Sequence, residues 1–243
     1  MPGMSTLSLI LPYWKRQAAT DEAMRAMALH YFNMDELEIV IVNDGGEPYE
    51  LSKSLPLHVV MHSLPSKERP LNPCIPYNYG VANTSSEYIA LSNPEILHIE
   101  PVLEQMLEEC KHDPLNYVMA ACWCPEQKRW HAHSSQKRSK RWPLTHPHDN
   151  DVGAYIPDGA SYHFLTMMHR SLWDKTGGFD EDYRQGAGYD DPDFVRRLHK
   201  AGAKFIMRDD LVVQHPRKGA RADWTGEMFA RNRAIFMQKW QPL

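Results

Sequence analysis

The chain has 243 residues, of which 42% are hydrophobic and 24% are charged, and its formal net charge is −4 at pH 7. These values are typical of a soluble globular protein and give no reason to expect nucleic acid or membrane as an obligatory partner. The sequence has no apolar run of about 18 residues that would form a transmembrane segment, and residues 1–11 do not resemble a signal peptide. Four cysteines do not make a disulfide framework in a chain of this length, so we expect a cytoplasmic protein.

Short apolar runs alternate with helical spacing in the first half of the chain, in the order β-α-β-β-α-β-α-β. Strands are predicted over residues 6–11, 38–42, 57–61, 87–91 and 117–122, and helices over 15–32, 73–82 and 100–110. Pro12 is expected to end the first strand. The order predicts an α/β domain with a mostly parallel, Rossmann-like central sheet that is flanked by helices.

Polar side chains follow three of the predicted strands at their carboxyl ends. Asp44 follows the second strand, Asn93 and Glu95 follow the fourth, and His215 follows a strand predicted over residues 211–213. In mostly parallel α/β sheets, ligands bind beyond the carboxyl ends of the strands. We therefore expect these side chains to face one binding site. The alternative for His215 is an ordinary histidine at the end of a strand.

The pattern breaks down over residues 124–150, which are polar and rich in histidine, tryptophan and proline. Between Glu126 and Trp142, Glu126 is the single acid against the basic residues Lys128, Arg129, Lys137, Arg138, Lys140 and Arg141. A stretch of this length inside a compact domain is typically a functional or mobile loop. Beyond it, the pattern predicts a strand over 163–168, a helix over 171–175, strands over 204–207 and 211–213, and a last helix over 227–240.

An acidic segment stands at the start of the helix predicted near residue 192. Asp190, Asp191 and Asp193 place three carboxylates in four residues, behind a loop with glycines at 186 and 188. Proline is favoured at the first helical position, so Pro192 makes Asp191 the expected N-cap. One interpretation is that these acids only cap the helix and complement its dipole. The other is that the segment contains a functional carboxylate.

Five segments in this order resemble the family 2-type glycosyltransferases, which have the GT-A fold. They are residues 7–14 (LSLILPYW), 38–45 (EIVIVNDG), 77–80 (YNYG), 177–180 (GGFD) and 189–194 (YDDPDF). The last two are also similar to the acceptor-side motif of β-1,4-galactosyltransferases. The resemblance covers nearly the whole chain. It implies a single GT-A domain over 1–243, with a nucleotide-sugar-binding half (1–122), a mobile basic loop (123–160) and an acceptor-binding half with the C-terminal helix (161–243).

The resemblance implies an inverting transfer of a sugar from a nucleotide-sugar, most often UDP-linked in this family, to a hydroxyl group of a glycan or another acceptor. It assigns the general base to Asp191. Contacts with the acceptor are assigned to Asp190, Tyr189 and Gly188. Trp130 of the basic loop is a further candidate, which could stack on an acceptor sugar. Contacts with the nucleotide-sugar are assigned to Pro12, Tyr13, Asp44, Asn78, Asn93, Arg217 and Lys218. For the last two residues, a solvated surface loop is an equal alternative.

The expected metal site departs from the family pattern. Where the family has Asp-x-Asp, this sequence has Asn93-Pro94-Glu95. Glu95, His215 and the side-chain carbonyl of Asn93 are oxygen and nitrogen ligands that suit Mn²⁺ or Mg²⁺. The resemblance thus implies a divalent cation on the diphosphate, where it would act as a Lewis acid and a template. Because one carboxylate is missing, metal independence is the alternative.

Within the basic loop of residues 123–160, the basic residues lie at 128–142, and this segment has three interpretations. It is a solvated surface segment, an acceptor-binding lid in which Trp130 or Trp142 stacks on a sugar, or a contact for a polyanion such as nucleic acid. In the third case the acceptor would be a modified nucleic acid base.

Other classes of protein explain less of the pattern. A degenerate, non-catalytic protein that only binds sugar or nucleotide is the main alternative, because of the altered metal motif. A glycoside hydrolase also uses two carboxylates, but it would not need polar residues at the strand ends. No Gly-x-Gly-x-x-Gly follows the first strand, which argues against a nicotinamide dehydrogenase. A zinc site at Cys122, Cys124, His131 and His133 is a minor hypothesis, because this spacing is not a common structural pattern.

Overall fold

The computed structural model describes residues 6–51, 54–65, 72–133, 164–216 and 225–240. The strands are β1 (Leu7–Tyr13), β2 (Leu37–Asn43), β3 (Val59–Ser63), β4 (Tyr88–Ser92), β5 (Leu97–His98), β6 (Asn116–Cys124), β7 (Arg129–Ala132), β8 (Leu165–His169) and β9 (Lys204–Gln214). The helices are α1 (Gln17–Tyr31), α2 (Cys74–Ala82), α3 (Leu103–His112), α4 (Arg170–Thr176), α5 (Asp190–Lys200) and α6 (Gly226–Lys239), with a short 3-10 helix at Glu181–Gln185. None of the helices in these described ranges has the length and apolar composition needed to cross a bilayer.

The nine described strands form one sheet in the order β3-β2-β1-β4-β8-β6-β9-β5, with β7 paired to β6 beside this path. Strands β1 to β4 are mutually parallel, and β6 is parallel to β9. Strand β8 is antiparallel to both β4 and β6, so it joins the two parallel groups and leaves them pointing in the same direction. The predicted α/β fold with a mostly parallel sheet is confirmed. The sequence pattern did not indicate the antiparallel position of β8.

Both faces of the sheet are covered by helices. The side chains of β1 point alternately to the two faces and pack in two separate cores. Leu7, Leu9 and Leu11 pack in one buried cluster with residues of α1 and α3. Ile10 packs in a second cluster with residues of α2, α4, α5 and α6. All four side chains are fully buried, as expected for a strand that is covered on both sides. The second cluster supports the helices that carry the candidate site.

Strand β1 continues through Pro12, so the prediction that this proline ends the strand is wrong. Strand β4 pairs with β1 only from Leu7 to Ile10, whereas β2 pairs with it as far as Tyr13. Pro12 therefore lies where β1 has a neighbour on one side, a position in which the missing N–H is tolerated. The strand consequently carries Tyr13 to the carboxyl edge of the sheet.

Strand β9 is continuous over 11 residues, so the prediction of two separate strands is wrong. Its pairing with β6 shifts between Ala120 and Ala121, which pair with Arg208 and Val212. A bulge at residues 209–211 accommodates the polar residues that interrupted the apolar pattern. The strand then continues to Gln214 and brings the next residue to the same carboxyl edge. Strand β7 lies in the stretch for which no regular element was predicted.

Candidate active site

Polar residues gather at the edge of the sheet where the parallel strands have their carboxyl ends. Asp44 follows β2 and is buried, and its backbone N–H donates to the carbonyl of Tyr13 at the end of β1 (3.0 Å). Asn93 and Glu95 follow β4, and His215 follows β9. Because β1, β2, β4 and β9 point in the same direction, the topology brings these residues to one edge.

Glu95 is a buried acid at this edge, with a side chain that is 5% exposed. The Arg16 guanidinium pairs with its Oε1 atom, and His215 Nε2 lies 3.2 Å from the same oxygen. A buried carboxylate is costly unless a charge and hydrogen-bond donors compensate it, and these two partners do so. Glu95 is thus held by a cation from the loop after β1 and by an imidazole from the end of β9.

Aromatic rings surround the imidazole of His215. Its ring centroid lies 5.4 Å from that of His131 on β7 and 5.3 Å from that of Phe164, which precedes β8. The rings of His131 and Phe164 are stacked on each other at 5.1 Å. These contacts restrict the orientation of the imidazole beside Glu95. The sequence contained no signal for this role of His131, because the contact depends on the pairing of β7 with β6.

Tyr77 of α2 connects the strand-end residues with the acidic start of α5. Its hydroxyl group lies 3.5 Å from Asn93 Oδ1, and its side chain is buried. Burial raises the pKa of Tyr77 well above its usual value, and the carboxylates of Asp191 and Glu95 raise it further. Asp191 at the start of α5 and Glu95 after β4 therefore both act electrostatically on the same buried phenol.

The three acids at the start of α5 differ in their surroundings. Asp193 is 1% exposed, and its carboxylate accepts hydrogen bonds from Arg197 Nε and Trp240 Nε1, both at 2.8 Å. It is therefore a structural residue that ties α5 to the end of α6. Asp190 is 5% exposed and Asp191 is half-buried, and both lie in the first turn of the helix. These two acids are the candidates for chemistry.

Helix α5 begins at Asp190, so the prediction that Asp191 is the N-cap is wrong. Tyr189 is the N-cap, with a left-handed φ of +69°, and it makes no side-chain capping hydrogen bond. The first helical hydrogen bond runs from the N–H of Asp193 to the Tyr189 carbonyl (3.1 Å). Pro192 lies in this first turn, where the absence of an N–H costs nothing. The helix dipole favours ionised carboxylates at both acids that precede the proline.

Helix α6 holds the loop of residues 186–189 in front of α5. Asn232 is fully buried and donates through Nδ2 to the carbonyls of Tyr183 (3.0 Å) and Gly188 (2.8 Å). The N–H of Ala187 donates to the Met228 carbonyl (3.2 Å). The loop is thus positioned by a side chain that the sequence analysis missed. An amide at a buried position of a helix is the signal that could have indicated it.

Two of the predicted donor-binding side chains make contacts inside the protein. Tyr13 is 2% exposed, with its ring centroid 5.3 Å from that of Tyr49. The side-chain amide of Asn78 donates to the Phe179 carbonyl and accepts from the Phe179 N–H, both at 2.8 Å. Pro12 is half-buried beside Tyr13. Donor-binding roles for these residues stay predictions.

The predicted acceptor side is described in part. Trp130 lies on β7 and is half-buried, with its ring 5.1 Å from that of Trp123 and 4.5 Å from that of His133. Tyr189 is 8% exposed and packs against Phe236 at 5.5 Å. The remainder of the basic loop from residue 134 onward, with Trp142, lies outside the described residues, as do Arg217 and Lys218.

No protein-family model and no curated protein sequence matches this chain. Solved structures are similar to it. The 1–349 fragment of S. aureus TarS, in complex with UDP-GlcNAc, matches with a TM-score of 0.69 and 12% identity, over 98% of this chain and 68% of the fragment. The mannosyltransferase PcManGT from Pyrobaculum calidifontis, in complex with GDP-Man and Mn²⁺, matches with a TM-score of 0.58 and 14% identity, over 97% and 65% of the two chains. The chain has a glycosyltransferase fold.

Identities this low establish the fold alone. The chain spans about two thirds of the TarS fragment and 39% of a longer TarS chain, which it matches with a TM-score of 0.65. The predicted GT-A-type α/β architecture is confirmed by this likeness and by the sheet. Membership of family 2 and the likeness to β-1,4-galactosyltransferases stay predictions, as do the division of the domain and the roles of individual residues.

The predicted metal ligands do not fit a resident divalent cation as their side chains stand. Within the described ranges, no group of three or more His, Cys, Asp or Glu side chains could hold a metal ion. The zinc site considered at Cys122, Cys124, His131 and His133 is therefore not formed by these described residues. Glu95 and His215 contact each other, and Arg16 places a positive charge on the Glu95 carboxylate. That charge would repel a Mn²⁺ or Mg²⁺ ion at the same carboxylate. Asn93 contributes no charge.

Proposed function

We propose that this protein is an inverting glycosyltransferase that moves a sugar from a UDP-linked nucleotide-sugar to a hydroxyl group of an acceptor. The observation that carries the proposal is the position of Tyr77. Its hydroxyl group lies 3.5 Å from Asn93 Oδ1, and the carboxylates of both Asp191 and Glu95 raise its pKa. A transferase needs an acid of this kind beside the strand ends at which its nucleotide ligand binds. The shared fold with structures that contain UDP-GlcNAc and GDP-Man supports the same activity.

Asp191 is the proposed general base. It accepts the proton of the acceptor hydroxyl while the hydroxyl oxygen forms a bond to the anomeric carbon of the donor. The bond between that carbon and the diphosphate oxygen breaks, and its electron pair leaves with the diphosphate. A single displacement of this kind inverts the anomeric centre. The half-buried position of Asp191 in the first turn of α5 supports the role, because the helix dipole favours the ionised carboxylate.

Asp190 is proposed to hold the acceptor hydroxyl in line with the anomeric carbon. It is the neighbour of the base and is buried. Gly188 and Tyr189 are proposed to shape the acceptor site, since both are held in left-handed conformations by the loop that α6 supports. Trp130 is proposed as a stacking surface for an acceptor sugar. The acceptor is a glycan or another compound with a hydroxyl group.

The nucleotide is assigned to the ends of β1 and β2, beside Tyr13 and Asp44, because ligands of parallel sheets bind at this edge. Asn93 is assigned to the diphosphate or to the donor sugar. The diphosphate gains charge as the bond to the sugar breaks, so the site needs a positive group there. Since the side chains at Glu95 do not fit a resident metal, no step is assigned to one.

A panel of UDP- and GDP-sugars, with release of UDP or GDP as the signal, tests the proposed activity. Asp191→Asn should lower the turnover rate by about 10²- to 10⁴-fold, the usual contribution of a general base, and should leave the affinity for nucleotide unchanged. Asp35→Asn, an exposed acid in the turn before β2, is the matched control and should keep full activity.

Two outcomes would contradict parts of the proposal. Full activity in Asp191→Asn would remove this residue as the base. If the wild-type chain binds nucleotide-sugars but never turns them over with any acceptor or with water, the protein is a non-catalytic binder.

A further inference from the structure

The loop after β1 places Arg16 beside the buried carboxylate of Glu95. Arg16 immediately precedes α1, and its carbonyl accepts the N–H of Thr20 (2.9 Å) in the first turn of that helix. The Arg16 side chain is 36% exposed, whereas that of Glu95 is 5% exposed. The guanidinium therefore neutralises a buried acid and also reaches solvent at the carboxyl edge of the sheet.

The hydrogen-bond donors of Arg16 exceed what Glu95 accepts. A guanidinium has five N–H donors in a planar fork, and two of them together match the oxygens of a phosphate group. Within the part of the chain that the structure describes, the Arg16 guanidinium has one hydrogen-bond partner, which it reaches through Nη1. The other donors can bind a ligand at this edge.

The start of α1 adds positive potential at the same place. The first turn of α1 has no acidic residue, and Arg16, its N-cap, makes no side-chain capping hydrogen bond. The first N–H groups of a helix have no helical partner and together carry about half a positive charge. Because α1 follows directly on the carboxyl end of β1, these N–H groups lie at the same edge as the guanidinium.

The balance of charge at Glu95 favours an anion over a second cation. A divalent ion between two carboxylates has a formal charge of zero, and so does a guanidinium on one carboxylate. Where two carboxylates are expected, this chain has the neutral Asn93 and the carboxylate of Glu95. Arg16 supplies the single positive charge that balances Glu95. A Mn²⁺ ion at Glu95 would meet the guanidinium at short range. A diphosphate would instead meet an arginine that Glu95 already orients.

We propose that Arg16 is the cation that binds the diphosphate of the nucleotide-sugar, and that the site works without a divalent metal. This inference rests on the proposed function and specifies its donor site. When the bond from the anomeric carbon to the diphosphate oxygen breaks, its electron pair goes to the diphosphate, and the Arg16 N–H groups bind the added charge. No proton moves at this position. Glu95 and His215 are positioning residues that orient the guanidinium.

Calorimetric titration of the purified chain with UDP and with GDP, in EDTA and in Mn²⁺, tests the inference. We expect wild-type affinity in EDTA to lie within about threefold of that in Mn²⁺. Arg16→Gln should weaken binding in EDTA by about 10- to 100-fold, because it removes charge-assisted hydrogen bonds to the diphosphate. Arg25→Gln, an exposed arginine on the same helix, is the matched control and should bind like the wild type.

Glu95→Gln separates the two possible roles of this acid. If Glu95 is a metal ligand, the substitution weakens binding of UDP in Mn²⁺. If Glu95 positions Arg16, binding in EDTA is unchanged or tighter, because the guanidinium charge is no longer neutralised. In that case the turnover rate falls although nucleotide affinity is not weakened, and Glu95→Asp restores part of the rate. Circular dichroism of each variant confirms that it is folded before it is titrated.

The outcomes also distinguish this inference from the function on which it rests. Nucleotide binding that requires Mn²⁺ and is indifferent to Arg16→Gln overturns the role of Arg16 and leaves the proposed transferase intact. If neither UDP nor GDP binds in EDTA or in Mn²⁺, the proposed function fails, and the role of Arg16 fails with it.

Discussion

Asn78 and Phe179 lie 101 residues apart in the chain, and two hydrogen bonds of 2.8 Å join them. The amide of Asn78 on α2 donates to the Phe179 carbonyl and accepts from the Phe179 N–H. The ring of Phe179 stacks in turn on Tyr77 (5.2 Å) and Phe194 (4.5 Å). This pair fastens the turn at residues 177–180 to the helix that carries Tyr77. It thereby fixes the position of α5 relative to α2.

Asn78→Ala should destabilise the protein and lower its turnover. The substitution leaves a backbone N–H and a carbonyl of Phe179 without their partner, which costs about 1–3 kcal/mol of unfolding free energy. Turnover should fall because α5 is no longer held at its distance from the strand ends. Urea unfolding and steady-state kinetics measure the two effects.

The control for this prediction is Asn83→Ala at the exposed end of the same helix, where the amide makes one hydrogen bond to the Tyr79 carbonyl. It should change stability by less than half as much. A rise in the donor KM of Asn78→Ala without loss of stability would contradict the structural role and favour the predicted contact with the nucleotide-sugar.

The sequence predicted the parts of the fold that depend on local pattern. The strands β1, β2, β4 and β6 are short apolar runs, and the acids of α5 follow a glycine-containing loop, so both were predictable. The position of β8 was not, because strand pairing depends on partners far along the chain. The sequence does not indicate the true start of α5, because Tyr189 adopts a positive φ, which is uncommon outside glycine, and because proline is favoured at the first helical position, which points to Pro192.

The candidate site was predictable only where its residues depend on local sequence pattern. Asp44, Glu95 and His215 follow strands whose ends could be inferred from the sequence. Arg16 could not be identified, because its partner Glu95 is 79 residues away and nothing in the local pattern marks the pair. The contacts of Asn232 likewise link α6 to a loop 44 and 49 residues earlier.

Asp193 and Asp191 are neighbours in sequence that should respond differently to substitution. Asp193→Ala removes a buried carboxylate from Arg197 and Trp240 and should cost about 3 kcal/mol of unfolding free energy, as for a broken buried ion pair. Asp191→Asn should change stability by about 0.5 kcal/mol or less, because this side chain is half-buried and keeps its shape.

Thermal and urea unfolding of both variants, beside the turnover assay, check this contrast. The expected pattern is a stable, inactive Asp191→Asn and a destabilised Asp193→Ala. The opposite pattern, in which Asp193→Ala unfolds like the wild type, would show that the hydrogen bonds from Arg197, Trp240 and Tyr183 to Asp193 contribute little to the fold.

Asn232→Ala should weaken binding of the acceptor more than binding of the nucleotide donor. The amide supports the carbonyls of Tyr183 and Gly188, so its loss should loosen the loop in front of α5 and cost about 1–3 kcal/mol. We expect a higher KM for the acceptor and an unchanged Kd for UDP. Gln238→Ala, at an exposed position of the same helix, is the matched control. A change confined to the Kd for UDP would contradict the assignment of this loop to the acceptor side.

His98 should make the stability of the protein depend on pH. It is fully buried, its Nδ1 lies 2.7 Å from the Tyr31 hydroxyl, and His30 is close to it. Burial lowers the pKa of His98 from 6.5 to about 3, because an imidazolium would be desolvated. Between these two values the unfolded chain binds one proton more than the folded chain. The unfolding free energy therefore falls by about 1.4 kcal/mol per pH unit as the pH drops below 6.5.

Urea unfolding at pH 7.5, 6.0 and 5.0 measures this slope. His98→Gln should be less stable than the wild type at pH 7.5, because the imidazole packing against Tyr31 is lost, and it should lose less stability on going to pH 5.0. His112→Gln, an exposed histidine at the end of α3, should keep the wild-type slope. Equal slopes in His98→Gln and the wild type would mean that other groups cause the loss of stability in acid.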